Sequence, residues 1–273
     1  MAGHTPGTDD RSAPKIAMDR RGAGAPMVLL HGVGSRRGIF DPIVPALAAG
    51  HTVHAIDLPG FGDSPAPAGL DASIDGLTDQ VAALCTRLGL DRPHVVGNSM
   101  GGAIALELGR REVAGAVTAF APAGFWTPGE LRRTRTLLSA TRTLARARPA
   151  VAAAARSRLG RAGLVGLFYG RPTEVPATRV RADADALVRA PAFAEALRRF
   201  TDYDLVAGPR PPAGLETIPV TVVWGRRDRV LPHQQAARAR QALPGARHLM
   251  LAGAGHLPFH DDPRACAAAV LGH

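Results

Sequence analysis

Three residues of this chain have types and spacing suited to joint chemistry: Ser99, Asp228 and His256. Ser99 lies in Gly97-Asn98-Ser99-Met100-Gly101-Gly102, between the aliphatic run His94-Val95-Val96 and the helix-patterned Ile104-Ala105-Leu106-Glu107-Leu108. A G-x-S-x-G at a strand-to-helix junction is a turn so tight that its flanking positions must be glycine, and it thrusts the hydroxyl out at a helix N-terminus. There the helix dipole and the backbone N–H of Met100 face an oxyanion as it develops. A serine hydroxyl is a weak nucleophile until a base takes its proton, and the base needs an acid to orient it. Both follow in the chain: Asp228 stands four residues past Trp224 in WGRRDRVLP, and His256 five residues past Leu251 in the glycine-bracketed AGAGHLP. Taken singly, other readings stand: Ser99 as an ordinary first helical residue, Asp228 as a turn or helix cap, His256 as structural. Together the three point to acyl transfer. A second oxyanion donor is expected in His31-Gly32-Val33-Gly34-Ser35, with the N–H of Val33 favoured and Gly34 next. His31 is expected to prop that loop, and His233, His248 and His260 lie away from the expected base position.

The elements that must hold these residues alternate. Pro26–Leu30, Thr52–Ile56, His94–Val96, Ala116–Phe120, Val220–Trp224 and His248–Leu251 are short apolar runs ended by Gly, Pro or a polar turn, and they read as buried strands. Between them, Ile74, Leu77, Val81, Leu84 and Leu88 recur at helical spacing up to Gly89, and Met100–Arg111, Pro232–Leu243 and Pro263–Leu271 read likewise as helices. The first 25 residues read as a loose tail with one or two short strands. Such alternation predicts an α/β fold: a mostly parallel central sheet with helices on both faces and ligands at the carboxyl ends of the strands. It fails between about Ala123 and Pro212, where helix-like patches (Glu130–Arg148, Ala150–Leu167, Pro191–Phe200) occur without a strand. The expected organisation is therefore a core of residues 1–122 and 213–273 with a helical insertion, 123–212.

Composition limits the partners. The chain has 273 residues, 46% hydrophobic and 21% charged, outside the disordered and collagen-like ranges and about as large as one core supports. Its longest apolar stretch, Ala116–Trp126, is too short to span a membrane, and the first fifteen residues hold no apolar run of the secretory kind. A cytoplasmic protein without stable membrane insertion is expected. Cys85 and Cys266 form no metal or disulfide pattern and read as inert buried thiols; no metal and no cofactor is expected. The net charge of +10 is concentrated: sixteen arginines face seven acids from Glu130 to Arg210. An arginine-rich insertion fits a solvated face, an attraction for an anionic small-molecule substrate, or a membrane-surface contact. No nucleic-acid motif accompanies the charge, so no nucleic-acid partner is expected. Phe125, Trp126, Phe168, Tyr169 and Phe193 are candidates to line a pocket, or core.

The segments LLHGVG, Asp57-Leu58-Pro59-Gly60-Phe61-Gly62-Asp63-Ser64, GNSMGG, WGRRDRVLP and GAGHLPFHDDP resemble the α/β-hydrolase family over about residues 14–122 and 213–271. The resemblance implies Ser99 as nucleophile, His256 as general base, Asp228 as its partner, the N–H groups of Val33 and Met100 as the oxyanion hole, and 123–212 as a cap. Family members that open epoxides or remove halide carry aspartate where this chain has Ser99. Asn98 in the GNSMGG turn is similar to hydrolases that cleave C–C bonds of ring-fission products, but Ser35-Arg36 and Leu257 depart from their pattern. Cofactor-free perhydrolases and haloperoxidases share the triad. Carboxylic ester hydrolysis of the EC 3.1.1 kind through an acyl-enzyme ranks first. Thioester or C–C cleavage, perhydrolysis, a lyase reaction and a ligand-binding protein on the same scaffold remain alternatives.

Overall fold

The computed structural model describes residues 15–205 and 214–272. Seven strands form one sheet: β1 (Met18–Arg21), β2 (Ala25–Leu30), β3 (His51–Ile56), β4 (His94–Asn98), β5 (Ala116–Phe120), β6 (Val220–Gly225) and β7 (Arg247–Leu251). Their order is β1-β3-β2-β4-β5-β6-β7, with β1 antiparallel to β3 and every other pairing parallel. The helices are α1 (Val44–Ala48), α2 (Ile74–Arg87), α3 (Met100–Arg110), α4 (Pro128–Ala145), α5 (Arg148–Ala154), α6 (Arg158–Val165), α7 (Ala177–Arg189), α8 (Phe193–Arg199), α9 (Gln235–Ala242), α10 (Pro258–Asp261) and α11 (Pro263–Leu271).

A parallel sheet covered on both faces needs apolar residues at every strand position, since successive side chains point to opposite sides. Accordingly Val28 and Leu30 of β2 join a core with Leu77 and Val81 of α2 and Ile104 of α3. Met27 and Leu29 join a second core with Leu47 of α1 and Cys266 and Val270 of α11. Helix α2 starts where Ser73 Oγ accepts the N–H of Gly76, and Met100 to Gly109 of α3 are all buried. The turn after β3 is organised by the buried Asp57, whose carboxylate accepts from the N–H groups of Arg37 (2.6 Å) and Asp63 (2.9 Å) and pairs with the Arg37 guanidinium.

The predicted strands are all present. β4 runs two residues longer than the aliphatic run, because Asn98 still pairs with Phe120. Helix α9 begins later than Pro232, where Gln235 N–H closes a turn onto Pro232 O. The insertion differs more. The patch Ala150–Leu167 is two helices, broken where Ser157 Oγ caps α6 on Gly160 N–H, and α7 lies outside the helix-like patches read from the sequence. The expected boundary at 212–213 and the tail up to residue 14 lie outside the described residues. Among the described residues no helix is long and apolar enough to cross a membrane.

Candidate active site

The turn between β4 and α3 is set by backbone contact. A Cβ on Gly97 would lie 2.0 Å from Gly101 O, and one on Gly101 would lie 2.1 Å from Leu30 O. Only hydrogen fits at either place, so the chain can turn there and nowhere looser. The cost appears at Ser99, whose φ is +57°, a conformation worth about 1–3 kcal/mol of strain in a residue with a Cβ. The surroundings enforce it: Ser99 N–H donates to Phe120 O (2.9 Å), and its carbonyl accepts from Ala103 and Ala123. Gly32 packs against it, since a Cβ there would stand 3.0 Å from Ser99 Cβ and 3.5 Å from Oγ.

Asp228 and His256 meet. His256 Nδ1 is 2.8 Å from Asp228 Oδ2, and both side chains are buried. The other carboxylate oxygen, Oδ1, accepts the N–H groups of Val230 and Leu231, each at 2.9 Å. With Oδ1 engaged, Oδ2 is left to accept from the ring, so Nδ1 carries the proton and Nε2 is the free acceptor. Nε2 and Ser99 Oγ make no hydrogen bond with each other; Ser99 and His256 stand in the wall of one shared cavity. Val33 lines that cavity and Met100 follows Ser99 directly in the turn; among the described residues the backbone N–H of neither has an acceptor. His31 props the loop as expected. Its Nε2 accepts Leu58 N–H (3.0 Å), which obliges Nδ1 to donate to Gly32 O (2.7 Å), and burial holds the ring below the usual histidine range.

The cavity measures about 370 Å³. Beyond the serine and histidine its wall is mostly apolar, with Leu137, Leu138, Leu164, Leu167, Val180 and Leu187 from the insertion. Of the aromatic candidates Phe168 and Tyr169 line it; Phe125, Trp126 and Phe193 are core instead, Phe125 against Trp224 and Trp126 against Phe200. Among the described residues no arginine lines it, and its one acidic wall residue is Asp183, whose Oδ2 accepts from Tyr169 Oη (2.8 Å). Burial raises the Asp183 carboxyl above the usual range, against the pull of Arg179.

A family model described as "Alpha/beta hydrolase family" matches residues 27–269. The chain belongs to the alpha/beta hydrolase family. An uncharacterized protein of Mycobacterium bovis is 30% identical over 264 residues, covering 89% of this chain and 73% of its own. A pimeloyl-[acyl-carrier protein] methyl ester esterase of Neisseria meningitidis is 29% identical over 254 residues, covering 88% and 90%. The crystal structure of a membrane phospholipase A, a bacterial virulence factor, superposes with a TM-score of 0.74 at 27% identity, covering 94% and 82%.

Two further residues of this hydrolase tie the site together: Asn98, which the sequence reading noted only as a point of similarity, and Asp261, which it did not single out. Asn98, fully buried, donates from Nδ2 to Phe120 O (3.2 Å) and to His256 O (3.0 Å), tying the serine turn to the histidine loop. Asp261 accepts the N–H groups of Gly255 (2.8 Å), Gly170 (2.7 Å) and Arg171 (2.8 Å), so one carboxylate joins the histidine loop to the insertion. Burial raises its carboxyl, and those three N–H groups pull the other way. The acidic pair in HLPFHDDP was the only signal, and nothing in it distinguishes a tether from a helix cap; Asp262 is the cap, accepting Ala265 N–H.

Proposed function

We propose that this chain is a serine hydrolase of carboxylic esters that acts through an acyl-enzyme on Ser99. The carrying observation is the constrained Ser99 turn sharing a cavity with a histidine whose Nδ1 is held by a buried carboxylate. His256 Nε2 takes the Ser99 proton as Oγ attacks the ester carbonyl, and Asp228 stabilises the imidazolium that results. The N–H groups of Val33 and Met100 bind the oxyanion. The tetrahedral species collapses as His256 gives its proton to the leaving alcohol. Water, deprotonated by the same nitrogen, then releases the acid. Helices α4–α8 serve as the cap and shape the acyl site.

The apolar wall favours an acyl chain over a charged small molecule: burying each methylene there contributes about 0.8 kcal/mol, whereas an anion would face Asp183, whose neighbour Arg179 is already engaged with it and with Asp41. The Neisseria esterase and the phospholipase support an ester as the bond cleaved. Turnover of p-nitrophenyl esters from acetate to decanoate, run beside Ser99→Ala, tests the reading. Ser99-dependent hydrolysis with a medium-chain optimum is expected. A protein that reacts with a fluorophosphonate yet hydrolyses no ester would instead turn attention to C–C cleavage, perhydrolysis or ligand binding.

A further inference from the structure

Of the described residues that line the cavity, only Leu144 and Gly163 are exposed, so the cavity opens between the end of α4 and α6. Leu159 stands one turn before Gly163 on α6 and so shares its face. Among the described residues five large hydrophobics are exposed. Met18, Leu88 and Met250 lie between 36% and 43%, whereas Leu144 is 71% and Leu159 85% exposed. The two most exposed thus flank one opening, and Ala147, Pro149, Ala150 and Ala153 around them are exposed as well. The chain holds no acidic residue between Glu130 and Glu174. Arg146, Arg148, Arg156 and Arg158 are exposed in this stretch. Of these Arg148 pairs with Asp185 (3.2 Å), and among the described residues the side chains of the other three make no ion pair or hydrogen bond.

We propose that this rim docks the protein, peripherally and reversibly, on an anionic phospholipid surface, with Leu144 and Leu159 entering the headgroup boundary and the arginines meeting lipid phosphates. The pairing decides for a bilayer over an acidic protein. Unpaired arginines alone suit either, but aliphatic side chains so fully in water gain most from an apolar layer directly beneath a plane of phosphates. Arginine stems can lie along that boundary with their heads at phosphate level. Nothing spans the bilayer; the cavity mouth faces it.

Binding is read without turnover, so its outcome is independent of the hydrolysis reading. The full chain is sedimented with vesicles of phosphatidylcholine alone and of equimolar phosphatidylcholine and phosphatidylglycerol, at low and high salt. Partitioning at least tenfold stronger to the anionic vesicles, weakened by salt, is expected. Leu159→Ser, and separately Arg156→Glu with Arg158→Glu, should each lower it about tenfold while hydrolysis of p-nitrophenyl acetate in solution stays at the parental rate. Equal partitioning to both vesicles, or anionic binding untouched by Leu159→Ser, overturns the proposal. Absence of vesicle binding alongside saturable binding to a purified acyl carrier protein would assign the rim to an acidic protein instead.

Discussion

The sheet and the helical insertion position their residues by different means. Around Ser99 the backbone itself leaves no freedom: Gly97, Gly101 and Gly225 each sit where a Cβ would come within 2.2 Å of another backbone oxygen. The insertion makes few backbone bonds to the core, such as Leu257 N–H to Phe168 O (2.9 Å) and Ala192 N–H to Gly60 O (3.2 Å), and is held largely by side chains. Thr134 Oγ1 donates to Val230 O (3.0 Å), and Arg142 to Ala190 O (2.9 Å) while lying over Phe193 at 4.7 Å. Arg161 Nη2 donates to Thr173 O (3.1 Å), and Asp261 closes the seam. Backbone constraint fixes reacting atoms to a fraction of an ångström, whereas side-chain tethers can be exchanged by substitution without touching the sheet. On the function proposed above, chemistry and selectivity sit on separately adjustable parts.

The contrast can be broken most severely at its centre. Ser99→Ala should lower kcat for a p-nitrophenyl ester by a factor of about 10⁴ or more, with a parental circular dichroism spectrum, in steady-state assays. Gly101→Ala, adding a methyl against Leu30 O, should cost about 3 kcal/mol by urea denaturation together with most activity. The same change at Gly163 in α6, where nothing lies within 4 Å, should be neutral or stabilising by about 0.5 kcal/mol. Equal losses at the two glycines would erase the distinction. At the seam, Asp261→Ala orphans three N–H groups and should lower stability by about 3 kcal/mol and kcat more than KM, because the His256 loop loses its anchor. Within the insertion alone, Leu164→Trp should shift the optimum acyl length downwards at nearly constant kcat for acetate, as a substrate series would reveal.

The smallest effect separates the two regions by pH. No histidine occurs from Ala123 to Pro212, while burial pushes His94 in the sheet down to about 4. Between that value and the ordinary histidine pKa of about 6.5 the unfolded chain binds a proton that native His94 refuses. Stability therefore falls as the pH drops through this window and is regained above it. His94→Gln should flatten that part of a melting-temperature profile, by about 2 kcal/mol at most given the ring's partial exposure.

The core and the trio Ser99, Asp228 and His256 were legible because their constraints are local: apolar runs for buried strands, glycines for a turn, a polar residue at each strand end. Val33 and Met100 were expected from chain position alone and stand as a proposal. The insertion was read only as helical. Its α7 carries Arg179, Arg181, Asp183, Asp185 and Arg189 among alanines, so that Val180, Ala184 and Leu187 were hidden by charge that faces outward or pairs. Asn98 and Asp261 act on partners up to 158 residues away, and no spacing rule reaches that far. The arginine excess left several readings open, from a solvated face to an anionic substrate or a membrane surface. Its members divide among carbonyl caps, ion pairs and an outward rim, which a count cannot tell apart.

The two thiols, one in each core, give the sheet a way to report on itself. Cys85 lies in α2, its pKa pushed up to about 11, and Cys266 lies in α11 on the opposite face, raised further. Neither ionises at neutral pH, and the sheet stands between them. A thiol reagent therefore reaches each only when its own face opens. Labelling rates in the single-cysteine variants would time the two faces separately, as a pair of clocks sealed into one molecule.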